Sequence, residues 1–171
     1  MLFKSYLKNI RYILKHKYYV FIECYKMGIP LRGLVHDFSK FSPAEFKPYA
    51  MYFFGDLPKQ KDITSTDAYV YVDTYHMTKE YWEDKFNLAW LHHKRVNMHH
   101  WEYWVDINDD GNIDVLEMPM VYAKEMLCDW RGAGRAISGK DDTDVWYANN
   151  KDKMILHPKT RAWIEQQLYN Q

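Results

Sequence analysis

The chain has 171 residues, 47 % hydrophobic and 18 % aromatic, and its Lys plus Arg and its Asp plus Glu both number 23. That length suits one domain with a real core, and so large a hydrophobic share excludes a disordered chain. The even charge balance leaves no electrostatic footprint for general nucleic-acid binding. The 15 Tyr and 7 Trp fit a core of large side chains, several of which need a partner for an OH or NH. Cys24 and Cys128 are too few for a disulfide framework and read as buried thiols or one pair.

Residues 3–26 read as one long helix, because Tyr6, Ile10, Ile13, Lys17, Val20 and Cys24 recur at spacings of three or four. Lys4, Lys8, Arg11, Lys15, His16 and Lys17 interrupt it too often for a signal segment or a membrane span. The expectation is a cytoplasmic protein with no membrane partner. Gly28 and Pro30 supply the stop. A second helix is predicted from near Leu31, carrying His36 and Asp37 towards its end. Ser42-Pro43-Ala44-Glu45 combines a capping box with proline at the first helical position, which predicts a helix to about Phe54.

Residues 55–77 read as a long loop. Ala68 to Tyr75 is β-like in composition, but a lone strand has no partner, so the segment is taken as irregular or partly helical. Thr78 caps a helix from Lys79 through His93. A turn near Asn97 precedes His99 to Trp104, and residues 106–117 form a polar loop. Pro119 opens a helix through Asp129 to about Arg131, ended by Gly132 and Gly134. A short helix follows over Asp141 to Asn150. The last runs from Pro158 to Tyr169, with Trp163, Ile164 and Leu168 as its apolar stripe. The sum is an all-α fold, a single compact helical domain over residues 1–171 with a metal site between helices.

The chemistry concentrates in histidine. Half of the eight histidines lie in His92-His93 and His99-His100, within nine residues. On a helix His92 and His99, and likewise His93 and His100, would share a face. Imidazole is the commonest protein metal ligand, and divalent transition metals take imidazole nitrogens and carboxylate oxygens. His16, His36, Asp37 and Asp129 make a first candidate site. His93 with His99 or His100 would complete a second, and Asp37 can bridge because it has two oxygens. Lys40, about one helical turn after Asp37, is placed to hold a phosphate oxygen, and Arg131 and Arg135 are further phosphate candidates. The plainer alternative is a stacked aromatic–histidine patch without metal, with surface arginines near a helix C-terminus.

His16, then His36-Asp37 with Lys40, then the clustered histidines, then Asp129, resembles the HD-domain superfamily of metal-dependent phosphohydrolases. Gly33-Leu-Val-His-Asp-Phe-Ser-Lys40 and Glu125-Met-Leu-Cys-Asp-Trp130 are the best matches. Most of residues 11–168 also resembles a short, largely uncharacterised HD-like family of bacteria and phages, through His99-His-Trp-Glu-Tyr-Trp104, Met118-Pro119, Gly134-Arg135 and Leu156-His-Pro-Lys-Thr-Arg161. The resemblance implies an all-α fold holding one or two divalent transition metals (Mn, Fe, Co, Ni or Zn). It also implies hydrolysis of a phosphoester or nucleotide, the expected partner being a small phosphorylated ligand. The two His-His doublets depart from the nucleotidase branches and leave the second set of ligands open. The alternative function is a non-catalytic metal-binding, regulatory or ligand-binding module.

One stretch points to a different cation. Asp106, Asn108, Asp110, Asn112, Asp114 and Glu117 fall at the ligand positions of an EF-hand calcium loop, with Gly111 at its sharp turn. A calcium held there would be structural. The competing reading is a polar turn, since Asn-Asp-Asp-Gly-Asn is rich in turn formers.

Overall fold

The structure is a computed structural model and describes residues 2–58 and 78–169. Among the described residues are seven α-helices: α1 (Leu2–Lys26), α2 (Pro30–Val35), α3 (Phe46–Phe54), α4 (Lys79–Val96), α5 (Met120–Ser138), α6 (Thr143–Asn150) and α7 (Pro158–Tyr169). The all-α expectation holds, with one small addition. Strands β1 (Val105–Ile107) and β2 (Ile113–Val115) form an antiparallel hairpin in which Val105 faces Val115 and Ile107 faces Ile113. It occupies the predicted polar loop, where Gly111 takes φ 80° in the turn. The β-like stretch Ala68 to Tyr75 lies outside the described residues. No helix among the described residues is long and apolar enough to cross a membrane.

The chain groups into two units, Met1–Ile13 with Phe38–His93, and Leu14–Asp37 with Lys94–Gln171. The first is held largely by aromatic packing. Phe86 stacks on Tyr52 at 4.3 Å and meets the edges of Tyr49 and Phe53 at 5.1 Å each. Buried Ser5 and Asn9 on α1 donate to the carbonyls of Phe54 and Phe46, at the two ends of α3. The Thr78 cap forms as predicted, its Oγ1 accepting the Tyr81 N–H at 3.2 Å. The capping box at Ser42 does not. The Ser42 N–H donates to the Ser39 carbonyl, and the Glu45 carboxylate is taken by His92 and His93. Residues 42–45 therefore make turns, and α3 starts at Phe46, after Pro43.

The second unit has a core of Met126, Leu127, Tyr147, Leu156 and Ile164. Ile164 is fully buried and Trp163 and Leu168 pack partly buried beside it, as the stripe on α7 predicts. Cys24, Cys128 and Val20 form a smaller cluster, and both thiols are buried and unbridged. Helix α5 does not stop at Gly132 and Gly134. It continues to Ser138 and ends at Gly139, a left-handed cap with φ 80°. Gly132 serves close packing instead: a Cβ there would sit 2.4 Å from Val20 Cγ2 and 2.8 Å from the Val20 nitrogen.

That contact reverses the usual sign of a glycine substitution. Inside a helix Gly→Ala gains about 1 kcal/mol from propensity, but overpacking a tight contact costs about 1–3 kcal/mol. Gly132→Ala is expected to lower the urea midpoint, because backbone as well as side chain must shift. An unchanged or higher midpoint would show that α1 and α5 can part there without cost.

Candidate metal centre

Four residues from three segments of the second unit converge. His16 comes from the inner face of α1, between buried Ile13 and Val20. Asp129 comes from α5. His36 caps the C-terminus of α2 with φ −49° and ψ 132°. Asp37 follows with φ 54°, the one non-glycine residue of positive φ among those described. The helix predicted to carry both residues would make their side chains diverge by about 100°. The extended then left-handed turn instead aims both into one centre. Asp tolerates the left-handed region better than most residues, and Lys17 Nζ holds the turn by donating to the carbonyls of Leu34 and His36.

The donor atoms sit at ligand spacing. His16 Nε2 lies 3.3 Å from His36 Nε2, 3.3 Å from Asp37 Oδ2 and 3.0 Å from Asp129 Oδ1. His36 Nε2 lies 3.3 Å from both Asp37 Oδ2 and Asp129 Oδ1. Ligands about 2.0–2.1 Å from one cation are about 2.9–3.4 Å apart at cis-octahedral or tetrahedral angles. Two nitrogens and two oxygens at these separations fit a divalent transition metal. His16, His36, Asp37 and Asp129 each offer one atom within 4.8 Å of the others.

Asp37 also faces a second group. His99 Nε2 lies 3.4 Å from Asp37 Oδ1 and 4.0 Å from Asp129 Oδ2, and Asp37, His99 and His100 each present a donor atom within 4.8 Å of one another. The shared-face expectation for the two doublets fails, because α4 ends at Val96 and His99 and His100 lie beyond it. His93 belongs to the first unit. There its Nδ1 lies 2.8 Å from Glu45 Oε2 and 3.2 Å from Ser39 Oγ, while His92 Nδ1 lies 3.0 Å from Glu45 Oε1. Burial raises the Glu45 pKa, but the hydrogen bond and charge of His93 outweigh it and hold the carboxyl below its ordinary value.

Glu125 belongs to the same centre, although nothing in the sequence alone marks it as a site residue. It stands on α5 one helical turn before Asp129, a spacing of four that puts both on one face, and its side chain is buried. Oε1 accepts the His36 Nδ1–H at 3.1 Å and lies 3.5 Å from His99 Nδ1. Arg32 grips the other oxygen with Nε at 2.7 Å and a terminal nitrogen at 2.6 Å, and its guanidinium lies 4.8 Å from the centre of the Tyr122 ring. A carboxylate on the far nitrogen fixes the ring and turns Nε2 towards the cation position.

The other candidates are placed elsewhere. Lys40 lies in the first unit, its Nζ 5.9 Å from the centroid of the Tyr49 ring. Arg135 is tied to Glu23 at 2.6 Å and Asp141 at 3.3 Å, and Arg131 to Asp141 at 3.9 Å and the Gln167 carbonyl at 3.4 Å. In the hairpin, Asp106 and Asp114 are cross-strand partners. Asn108 Oδ1 accepts from the amides of Asp110 and Asn112, and its Nδ2 donates to Asp114 at 3.2 Å. Glu117 pairs with Lys159 at 2.8 Å.

Electrostatics of the centre carry a sign. Burial pushes His36 down, but the charge of Asp37 and the hydrogen bonds that the imidazole donates to Asp129, Asp37 and Glu125 overcome it and hold the imidazole well above its ordinary value. Burial raises Asp129 instead, but the hydrogen bonds and charges of His16 and His36 outweigh it and leave the carboxyl well below its usual range. Burial and then the charge of His36 push His99 down to about 4. The raised His36 stabilises the metal-free fold below about pH 6.5 and ceases to do so as pH rises through its folded value. The depressed His99 acts oppositely, costing stability as pH falls from about 6.5 towards about 4. Metal-free protein is therefore expected to be most stable near about pH 6.5 in a thermal-melt series. A metal held by His36 Nε2 would displace its proton, so such a metal should raise the alkaline side of that curve most. Equal stabilisation at every pH would contradict this account. Glu125→Gln is expected to weaken metal binding about 10- to 100-fold in competition with a chelating dye, and an unchanged affinity would remove Glu125 from the centre.

Neither the curated proteins nor the solved structures searched contain a match to this sequence. Residues 5–170 match the model of a family of unknown function, DUF5662, and the chain belongs to that family.

Proposed function

We infer that this protein is a metal-dependent phosphohydrolase that cleaves a phosphoester or nucleotide and holds one or two divalent transition metals. The observation that carries the reading is the convergence of His16, His36, Asp37 and Asp129 at mutual spacings of 3.0–3.3 Å wherever imidazole meets imidazole or carboxylate. The order of these residues along the chain, with its resemblance to the HD-domain superfamily, supplies the reaction class. Fold analogy alone gives the nucleotide-like substrate. A divalent cation, when bound, supplies positive charge to phosphoryl oxygens and makes water a stronger acid.

The residues themselves divide the work. Asp37 offers Oδ2 to the His16 and His36 side and Oδ1 to the His99 side, which suits a bridging carboxylate. His99, with its pKa pushed down to about 4, is neutral at pH 7 and keeps a lone pair for metal or for a proton. Glu125 holds the His36 ring by its Nδ1–H; against burial, that hydrogen bond does most to keep Glu125 ionised, and Arg32 adds to it and holds the carboxylate in place. Lys17 pins the turn that bears His36 and Asp37.

A second reading has its own support. Arg131 and Arg135, the cations proposed for a substrate phosphate, are engaged by Asp141 and Glu23. That pairing favours a metal-binding module that does no chemistry. The two readings separate on metal content and turnover of protein purified without chelator or polyhistidine tag. Wild type is expected to carry about one or two transition metals and to hydrolyse a member of a panel of phosphomonoesters, phosphodiesters and nucleotides. His36→Ala/Asp37→Ala is expected to lose both. Metal without turnover across the panel leaves the module, and a wild type that neither carries nor takes up Mn, Fe, Co, Ni or Zn ends both readings.

A further inference from the structure

Helix α1 has two working faces, and the metal centre uses only one. Its 25 residues hold six lysines or arginines against the single acid Glu23, in a chain whose charges balance at 23 each. Glu23 is buried and bound by Arg135 and Lys26, so the outer face of the helix presents no carboxylate. On the inner face Ser5, Asn9, Ile13, His16, Val20 and Cys24 are buried.

The outer face is sorted into two strips. At about 100° per residue, Phe3, Leu7, Leu14, Tyr18 and Tyr25 fall within an arc of about 60°. Lys4, Lys8, Arg11 and Lys15 fall within the next arc of about 60°. The five apolar side chains are between 38 % and 75 % exposed, Phe3 the most, and the four cations are exposed as well. Because α1 is one uninterrupted helix, its own geometry fixes this arrangement. From Phe3 to Tyr25 the strips run for about 33 Å.

We propose that the outer face of α1 docks on an anionic phospholipid surface, lying in the headgroup plane. A bilayer interface offers phosphate oxygens beside acyl chains along the whole helix, matching a cationic strip beside an apolar one. Lysine stems can lie along the apolar region while their ammonium groups reach the phosphates. Tyr18 and Tyr25 have the amphipathic rings that settle at headgroup depth. A nucleic-acid backbone would satisfy the cations and leave Phe3 and Leu7 in water. A second copy of α1 would bring one basic strip near another. The charges that keep α1 from spanning a membrane are the ones that favour lying on it.

The test is co-sedimentation with vesicles of phosphatidylcholine and phosphatidylserine against vesicles of phosphatidylcholine alone. Wild type is expected to partition at least tenfold more strongly onto the anionic vesicles. Lys4→Glu/Lys8→Glu/Arg11→Glu and Phe3→Ser/Leu7→Ser should each cut that binding at least tenfold; the charge reversals should leave thermal melting unchanged, since those side chains are exposed, and Phe3→Ser/Leu7→Ser should lower it modestly, Leu7 being 38 % exposed. Acylation footprinting of wild type decides the matter without a variant: anionic vesicles should protect Lys4 and Lys8. Equal binding to both vesicle types overturns the proposal, as does protection confined to other lysines. So does loss on charge reversal but not on Phe3→Ser/Leu7→Ser, which would mark a general polyanion surface. Self-association that shields the same lysines without lipid would assign the face to a second copy.

Discussion

The burial of several ionisable groups around one point is the constraint on which the second unit depends. His16, His36, Asp37, His99 and Glu125 are all nearly inaccessible to solvent, and each charge moved out of water loses several kcal/mol of hydration. Such a group of carboxylates is tolerable only beside compensating positive charge. Arg32 supplies one, on Glu125. A proton on His36 supplies another, which is why that imidazole stays cationic far above its ordinary range in spite of its burial. A divalent cation among the same oxygens would do the same with more charge, and a proton and a metal would compete for His36 Nε2. A cluster of this kind costs stability in any protein that does not use it, which argues for function over packing.

Backbone geometry follows from that demand. Two adjacent side chains reach one point only if the chain turns between them, and a regular helix cannot do this. Val35 is the last helical residue, His36 is extended and Asp37 is left-handed. A non-glycine residue in that region costs about 1 kcal/mol or more, and Lys17 anchors the strained turn through two carbonyls. On the opposite wall, Gly132 lets α5 approach Val20 of α1. His16 and Asp129 lie on these two helices, and their 3.0 Å separation depends on that approach.

Much of the helical frame was legible because it rests on local signals. Apolar periodicity marked α1, Thr78 marked the start of α4, and Pro158 opened α7. What was not legible depended on partners distant in sequence. Glu45 looked like half of a capping box until His92 and His93 claimed its carboxylate. Gly132 looked like a stop because nothing near it in sequence reveals Val20. The His36-Asp37 turn read as helix because its left-handed step is imposed by tertiary contacts. Within the centre, the candidate ligands carried a recognisable residue order, whereas Glu125 had only its spacing of four from Asp129 as a clue. Supporting residues are harder to read than ligands, because any carboxylate one turn away could serve and most do not.

Helix α1 joins the buried centre to the protein surface. A helix that supplies His16 to a buried centre must present its other side to something, and in most proteins that side is a mixture of charged residues of both signs. Here it is apolar beside basic, with its one acid turned inward to Arg135. Arg135 lies on α5, six residues after Asp129. The pairing that removes negative charge from the outer face of α1 therefore also ties α1 to the helix that carries Asp129. Arg135, a phosphate candidate from sequence, also clamps together the two helices that carry His16 and Asp129. Its loss would be felt in the alignment of His16 with Asp129 and in the charge of the outer face together.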